Sequence, residues 1–174
     1  MKKLLLIALL FFTTIAHAAD DWPELKWDAL IPKDWDPRKE FKELNLGKIQ
    51  DSDPRAMEAL EKMKAMWDNA PAEPSLNGKK LRIAGFALPL ERKGDKVTEF
   101  LLVPYFGACI HSPPPPANQI IVAASAKPLS GIKMMTPVWV FGSLATKRGD
   151  TTWGVAGYRL TVDKIAPYEE PHRR

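Results

Sequence analysis

The sequence has a single cysteine, Cys109. A lone thiol cannot close an intramolecular disulfide, so the fold must be held by its core, and the thiol is either buried and inert or kept for chemistry. Beyond the first 18 residues, no stretch approaches the roughly 20 apolar residues of a transmembrane helix. No basic run is interleaved with aromatics, which removes the usual footprint of a nucleic-acid partner. There is no internal repeat, nucleophile elbow, glycine-rich phosphate loop or HExxH, so the motif-defined hydrolases, nucleotide enzymes and zinc proteases have no foothold.

What is present begins with an address. Lys2 and Lys3 precede an apolar run over 4–15 that leads into Ala16-His17-Ala18. This is the pattern of a cleavable signal peptide over residues 1–18, and it predicts a periplasmic protein with no membrane span once processed. Lipidation would need a cysteine just after the cleavage site, and Cys109 lies far downstream, so no lipid anchor is expected. Without the signal, 23 basic face 21 acidic residues, a net +2. Residues 19–77 hold 14 acidic and 9 basic residues, and 78–174 hold 7 and 14. The two parts should attract each other, or the second should favour an anionic partner.

Residues 19–51 read as a Trp-rich arm: Trp22, Trp27 and Trp35 stand among prolines and charges with little periodicity, and such anchors need a surface to bury against. A short helix is expected over 37–44, with Asp36 as its N-cap. The clearer helix spans 52–69, with Asp53 as N-cap, Pro54 at the first position and Met57, Leu60, Met63 and Trp67 on a face expected to point to the core. After Gly78 the period changes to that of strands, over 80–90 with a bulge at Gly85, 97–108, 119–124, 137–144, and 152–165 broken at Gly157. Residues 52–174 thus form a helix plus a small β domain. The fold class is mainly β, a five-stranded partly open barrel of the OB type preceded by the arm and one amphipathic helix. The stretch 125–136 is too short and too rich in Pro and Gly for the helix such barrels usually carry between strands three and four.

The chemistry gathers in residues 100–119, FLLVPYFGACIHSPPPPANQ. Prolines 113–116 donate no backbone hydrogen bonds, so the strand must end near His111. If the backbone stays extended to that point, Cys109 and His111 project from one face about 6.5 to 7 Å apart. A thiol and an imidazole so placed suit zinc or copper(I), or a thiolate nucleophile with its base.

The segments WDALIPKDW, LRIAGFALPLE, TEFLLVPYFGACIHSPPPPANQ and GYRLTVDKI resemble a bacterial domain-of-unknown-function family of small exported proteins and lipoproteins. The likeness runs over most of the processed chain, and its one departure is Ser112, where the family usually has valine. The resemblance implies genes beside ABC transporter components of the export type and, in some bacteria, within zinc-responsive operons. It singles out Cys109, His111, prolines 113–116, Asn118 and Gln119.

The expected function is therefore a periplasmic transition-metal protein, binding or transferring zinc through Cys109 and His111, accessory to an ABC transporter system. Copper(I) is the second metal, because Met134 and Met135 add thioethers of which at most one should reach the site. His172, Glu91 and Glu99 are the third-ligand candidates. Two rival readings stand beside this one. In the first the chain is a non-catalytic adaptor that docks through the arm or the proline strap. In the second it is a Cys-His thiol enzyme, with Asn118 and Gln119 near enough in sequence to orient the imidazole or supply oxyanion donors.

Overall fold

The computed structural model describes residues 22–37, 39, 53–111 and 114–169. The segment expected to be a signal peptide, most of the short helix expected over 37–44, and His172 lie outside the described residues. Five strands close a barrel in the order β1 (Lys79–Lys93), β2 (Lys96–Val103), β3 (Ile121–Leu129), β7 (Tyr158–Pro167) and β4 (Thr136–Ala145). The neighbours are antiparallel except β3 and β7, which run parallel from Ile121↔Tyr158 to Ala124↔Thr161. This is the OB-like barrel read from the sequence, with closure completed because β1 is long enough to pair with β4 along its first half and β2 along its second. A small hairpin, β5 (Gly149–Thr151) and β6 (Gly154–Ala156), precedes the break at Gly157. Residues 130–135 carry no helix.

Alternation along β2 explains the two apolar layers that position the rest. Phe100 and Leu102 point into the barrel with Ile83, Val140 and Leu160, while Leu101 and Val103 point outward, and all are fully buried. The outward pair joins Leu88, Ala108, Ile120, Met135 and Ala156 in a second cluster, against which Cys109, Ile110 and Trp153 pack. The loop bearing the sequence signature is therefore the cover of this outer layer.

The arm is part of the domain's surface. Leu25 N–H donates to the Arg82 carbonyl at 2.9 Å and Arg82 N–H to the Pro23 carbonyl at 3.0 Å, extending the sheet beside the half of β1 that β2 does not reach. A 3-10 turn, Trp27–Leu30, follows. The Trp27 indole donates to the Ala84 carbonyl at 2.7 Å, and Leu30 is fully buried. Gly85 is not a bulge. A Cβ there would stand 2.8 Å from the Val103 carbonyl oxygen and 3.0 Å from the Trp27 ring, so the glycine makes room for the arm; the register shifts of β1 fall instead around Glu91.

Tyr158, fully buried, ties three segments. Its hydroxyl donates to the Leu30 carbonyl at 2.6 Å and accepts from Glu73 N–H at 2.5 Å. Tyr158→Phe leaves both partners without that oxygen and should cost about 2 kcal/mol in urea denaturation.

The helix, α1 (Pro54–Asp68), begins as expected, with the Asp53 carboxylate accepting from Arg55 N–H at 2.9 Å. Its buried side is only partly the expected stripe. Ala59 and the following Ala70 are buried and Ala56, Met63, Met66 and Trp67 half-buried, whereas Met57 and Leu60 are 63% and 52% exposed. In the first two turns the covered positions are alanines, which carry little weight in a hydrophobic pattern, so the larger Met57 and Leu60 drew the stripe one residue away from its true place. Among the described residues no helix is long and apolar enough to cross a membrane.

Candidate functional site

β2 stops at Val103 rather than continuing to Ala108. Pro104 interrupts the ladder, and Gly107 and Cys109 take positive φ values of 86° and 65°. The chain then coils into a turn in which Ile110 and His111 N–H groups both reach the Gly107 carbonyl, at 3.2 and 2.9 Å. Cys109 and His111 are therefore not successive same-face residues of a strand, and the extended geometry expected for them does not hold. They sit instead on one five-residue turn. A left-handed φ is uncommon for a residue with a Cβ, and here it lies inside the turn closed on the Gly107 carbonyl.

The two side chains meet different surroundings. Cys109 is half-buried and lines a groove of about 700 Å³ between α1 and the β5–β6 hairpin, with Met63, Trp67, Pro114 and Trp153. Burial alone pushes its thiol up to about 11, so no charge or hydrogen bond holds it ready as a thiolate. His111 is exposed, and its Cδ2 lies 3.7 Å from where a Cβ on Gly107 would stand. The thiol should react with iodoacetamide at a rate that climbs about tenfold per pH unit from neutrality, levelling only near pH 11. The folded group keeps its proton more tightly than the unfolded one. Its contribution to stability is thus full below pH 9, the ordinary thiol value, and is lost as pH rises toward 11.

The remaining sequence candidates are not gathered here. Glu91 and Glu99 face each other across β1 and β2, about 13 Å of strand away from Val103 where the loop begins. Glu91 is exposed, and Glu99 accepts from Arg159 at 2.7 Å. His172 is outside the described residues, among which no group of three His, Cys, Asp or Glu side chains is placed to hold a metal. Met135, 7% exposed, belongs to the cluster Cys109 packs against, and Met134 is 46% exposed.

The signature's second half has an architectural task. Pro114 packs on Gly154, where an added Cβ would come within 3.0 Å of it. The Ala117 carbonyl accepts from Gly157 N–H at 2.6 Å, Asn118 Nδ2 donates to the Pro71 carbonyl at 3.1 Å, and Gln119 Nε2 donates to the Trp27 carbonyl at 3.1 Å. Together these bonds tie the arm, the linker and Gly157 to the turn, and the Asn118 and Gln119 side chains each spend an N–H on a backbone carbonyl. Sequence reading missed the β5–β6 hairpin and its Trp153, which walls the groove; the glycines at 149 and 154 around Thr151-Thr152-Trp153 were the available turn signal.

A crystal structure of a DUF3299 family protein from Pseudomonas aeruginosa PAO1 is 33% identical, with a TM-score of 0.66 over 87% of this chain and 99% of that one. Asparaginyl-tRNA synthetase from Pyrococcus horikoshii overlaps 56% of this chain with 20% of its own length at 20% identity and a TM-score of 0.35, too low to bear on function. No curated protein matches the sequence. Residues 27–167 match the family described as Protein of unknown function (DUF3299), and with that span covering most of the arm, the barrel and the Cys109–His111 turn, the chain belongs to the DUF3299 family.

Proposed function

We propose that the chain is an exported, non-catalytic metal-binding or metal-transfer protein, in which Cys109 and His111 supply two ligands to zinc. The observation that carries the reading is that both donors ride on one turn closed by His111 N–H to the Gly107 carbonyl at 2.9 Å. One short piece of backbone thus carries both residues. Thiolate sulfur and imidazole nitrogen are among zinc's usual protein donors, and two ligands leave positions open through which a carrier exchanges its metal. His172 or a partner protein would complete the shell. Copper(I) is the second metal, since the Met135 thioether belongs to the apolar cluster against which the thiol packs. The family resemblance supports service to an ABC transporter of the export type, with a periplasmic chain handing metal to or from it.

The adaptor reading keeps a specific observation in its favour, the exposure of Tyr105 at 46% and Phe106 at 67% on the loop that leads into the turn. The thiol-enzyme reading has less in its favour, because the Asn118 and Gln119 amides each donate to a backbone carbonyl and burial pushes the thiol up to about 11. Thiol labelling separates the readings. Equimolar zinc should slow modification of Cys109 in the wild type and fail to do so in His111→Ala. An adaptor would show the same rate with and without zinc, and a thiol enzyme would label quickly at neutral pH.

A further inference from the structure

The charge asymmetry of the sequence is only partly neutralised within the fold. In the acidic first part, Asp53, Glu58 and Asp68 pair with Arg55, Lys62 and Lys64 of α1 itself, and Glu24 pairs with Arg82. In the basic second part, Arg92, Lys93, Lys96, Lys127 and Lys133 are exposed and make no ion pair among the described residues. These cations share one end of the barrel. Lys93 and Lys96 pair at the β1–β2 turn beside Arg92↔Val97, and Lys127 comes just before Leu129, which itself pairs with Val97. Lys133 stands on the loop over 130–135, which sinks Ile132 into the same core cluster as Val97. The β1–β2 turn offers only Glu91 and Asp95 against them, so this end stays net positive. Apolar side chains stand in water beside it. Met134, next to Lys133, is 46% exposed, and Phe106, 67% exposed, meets Phe86 edge-on with ring centres 6 Å apart or less, at 5.8 Å. Met135 N–H donates to the carbonyl of Ala87, the residue after Phe86, at 2.8 Å, which sets Met134 and Phe106 along the same stretch of β1.

We propose that this end of the barrel docks on a membrane surface that carries anionic phospholipid. Phosphate headgroups supply counter-charges to the unpaired cations, and each Lys or Arg near such a surface strengthens attachment about fivefold. The boundary between headgroups and acyl chains takes up exposed apolar and aromatic side chains, here Phe106 and Met134 with Tyr105, which is 46% exposed. A soluble polyanion would match the cations and leave Phe106 and Met134 in water. A protein seated on the aromatic loop alone would leave the cations without counter-charges. A surface that offers negative charge and an apolar layer together matches both. Cys109 and His111 take no part, so the proposal stands apart from the metal reading.

The test is flotation of the chain from residue 19 onward with vesicles of phosphatidylcholine alone and with vesicles carrying about 30% phosphatidylglycerol. The chain should float with the anionic vesicles and not with the neutral ones, and added salt should release it. Lys93→Ala combined with Lys96→Ala should weaken attachment about twentyfold and Phe106→Ala about tenfold. All three positions are exposed, and a melting temperature matching the wild type shows that the variants fold. Lys62→Ala combined with Lys64→Ala removes the same charge from α1 and should weaken attachment by about threefold at most. The proposal is overturned if the chain floats equally with both kinds of vesicle or with neither, if loss of Lys93 and Lys96 changes nothing, or if the α1 control loses as much. It is overturned as well if Phe106→Ala floats like the wild type, which would mark a surface for soluble polyanions only.

Discussion

Gly142→Ala should lose about 3–4 kcal/mol of stability and lower the melting temperature by about 10 °C. Gly142 lies where the register of β4 against β7 shifts. A Cβ there would sit 2.0 Å from the Thr161 carbonyl oxygen and 2.7 Å from Leu160 Cδ2. The side chain of Leu160 has rotamers to try, but the carbonyl belongs to a strand held on two sides, by β4 and by the parallel β3 through Ala124↔Thr161. Retreat by either strand opens the barrel beside the parallel seam of β3 and β7. Gly149→Ala is the control. Its nearest neighbour is Val122 Cγ2 at 4.0 Å, and it should stay within about 0.5 kcal/mol of the wild type. Thermal and urea unfolding of the two variants decide the matter, and a Gly142→Ala protein within about 1 kcal/mol of wild type would contradict this packing.

Much of the barrel was legible because its strands obey simple rules. Phe100 to Val103 is apolar on both faces and is buried on both, and Gly157 marks a real break between strands. The end of β2 was not legible for a reason visible in the residues. Tyr105, Phe106 and Ala108 prolong the apolar run past Pro104, and the pattern cannot tell a strand from a loop that happens to cover an apolar layer. The left-handed backbone at Cys109 carries no sequence signal either, since the residue types that favour it are Gly and Asn. The helix failed differently. Its type, N-cap and length were right, and Met63 and Trp67 are half-buried as their place on the stripe requires. The face was misjudged in the first two turns, where Ala56 and Ala59 take the covered positions that the larger Met57 and Leu60 were expected to fill. For the site, the signature marked the turn that carries Cys109 and His111. It concealed that half the string, Pro114 to Gln119, builds the junction of arm, linker and barrel.

The second large effect is expected in metal binding. In the proposed site, Cys109→Ser replaces the thiolate ligand with a hydroxyl that does not ionise near neutrality, and His111→Ala removes the other side-chain donor on the turn. Each should weaken zinc binding about a hundredfold or more. Because the thiol must surrender a tightly held proton to the metal, wild-type affinity should also rise with pH across the neutral range. Neither change should disturb the fold, since His111 is exposed and serine preserves the shape at Cys109.

The most direct measurement is cobalt(II) titration of the chain from residue 19 onward, read by absorption and followed by displacement with zinc. A Cys109 ligand predicts a thiolate-to-cobalt charge-transfer band that saturates at a fixed ratio, is abolished by zinc, and is absent in Cys109→Ser. Saturable cobalt binding with no such band, or a wild-type chain that binds neither metal, would contradict the account.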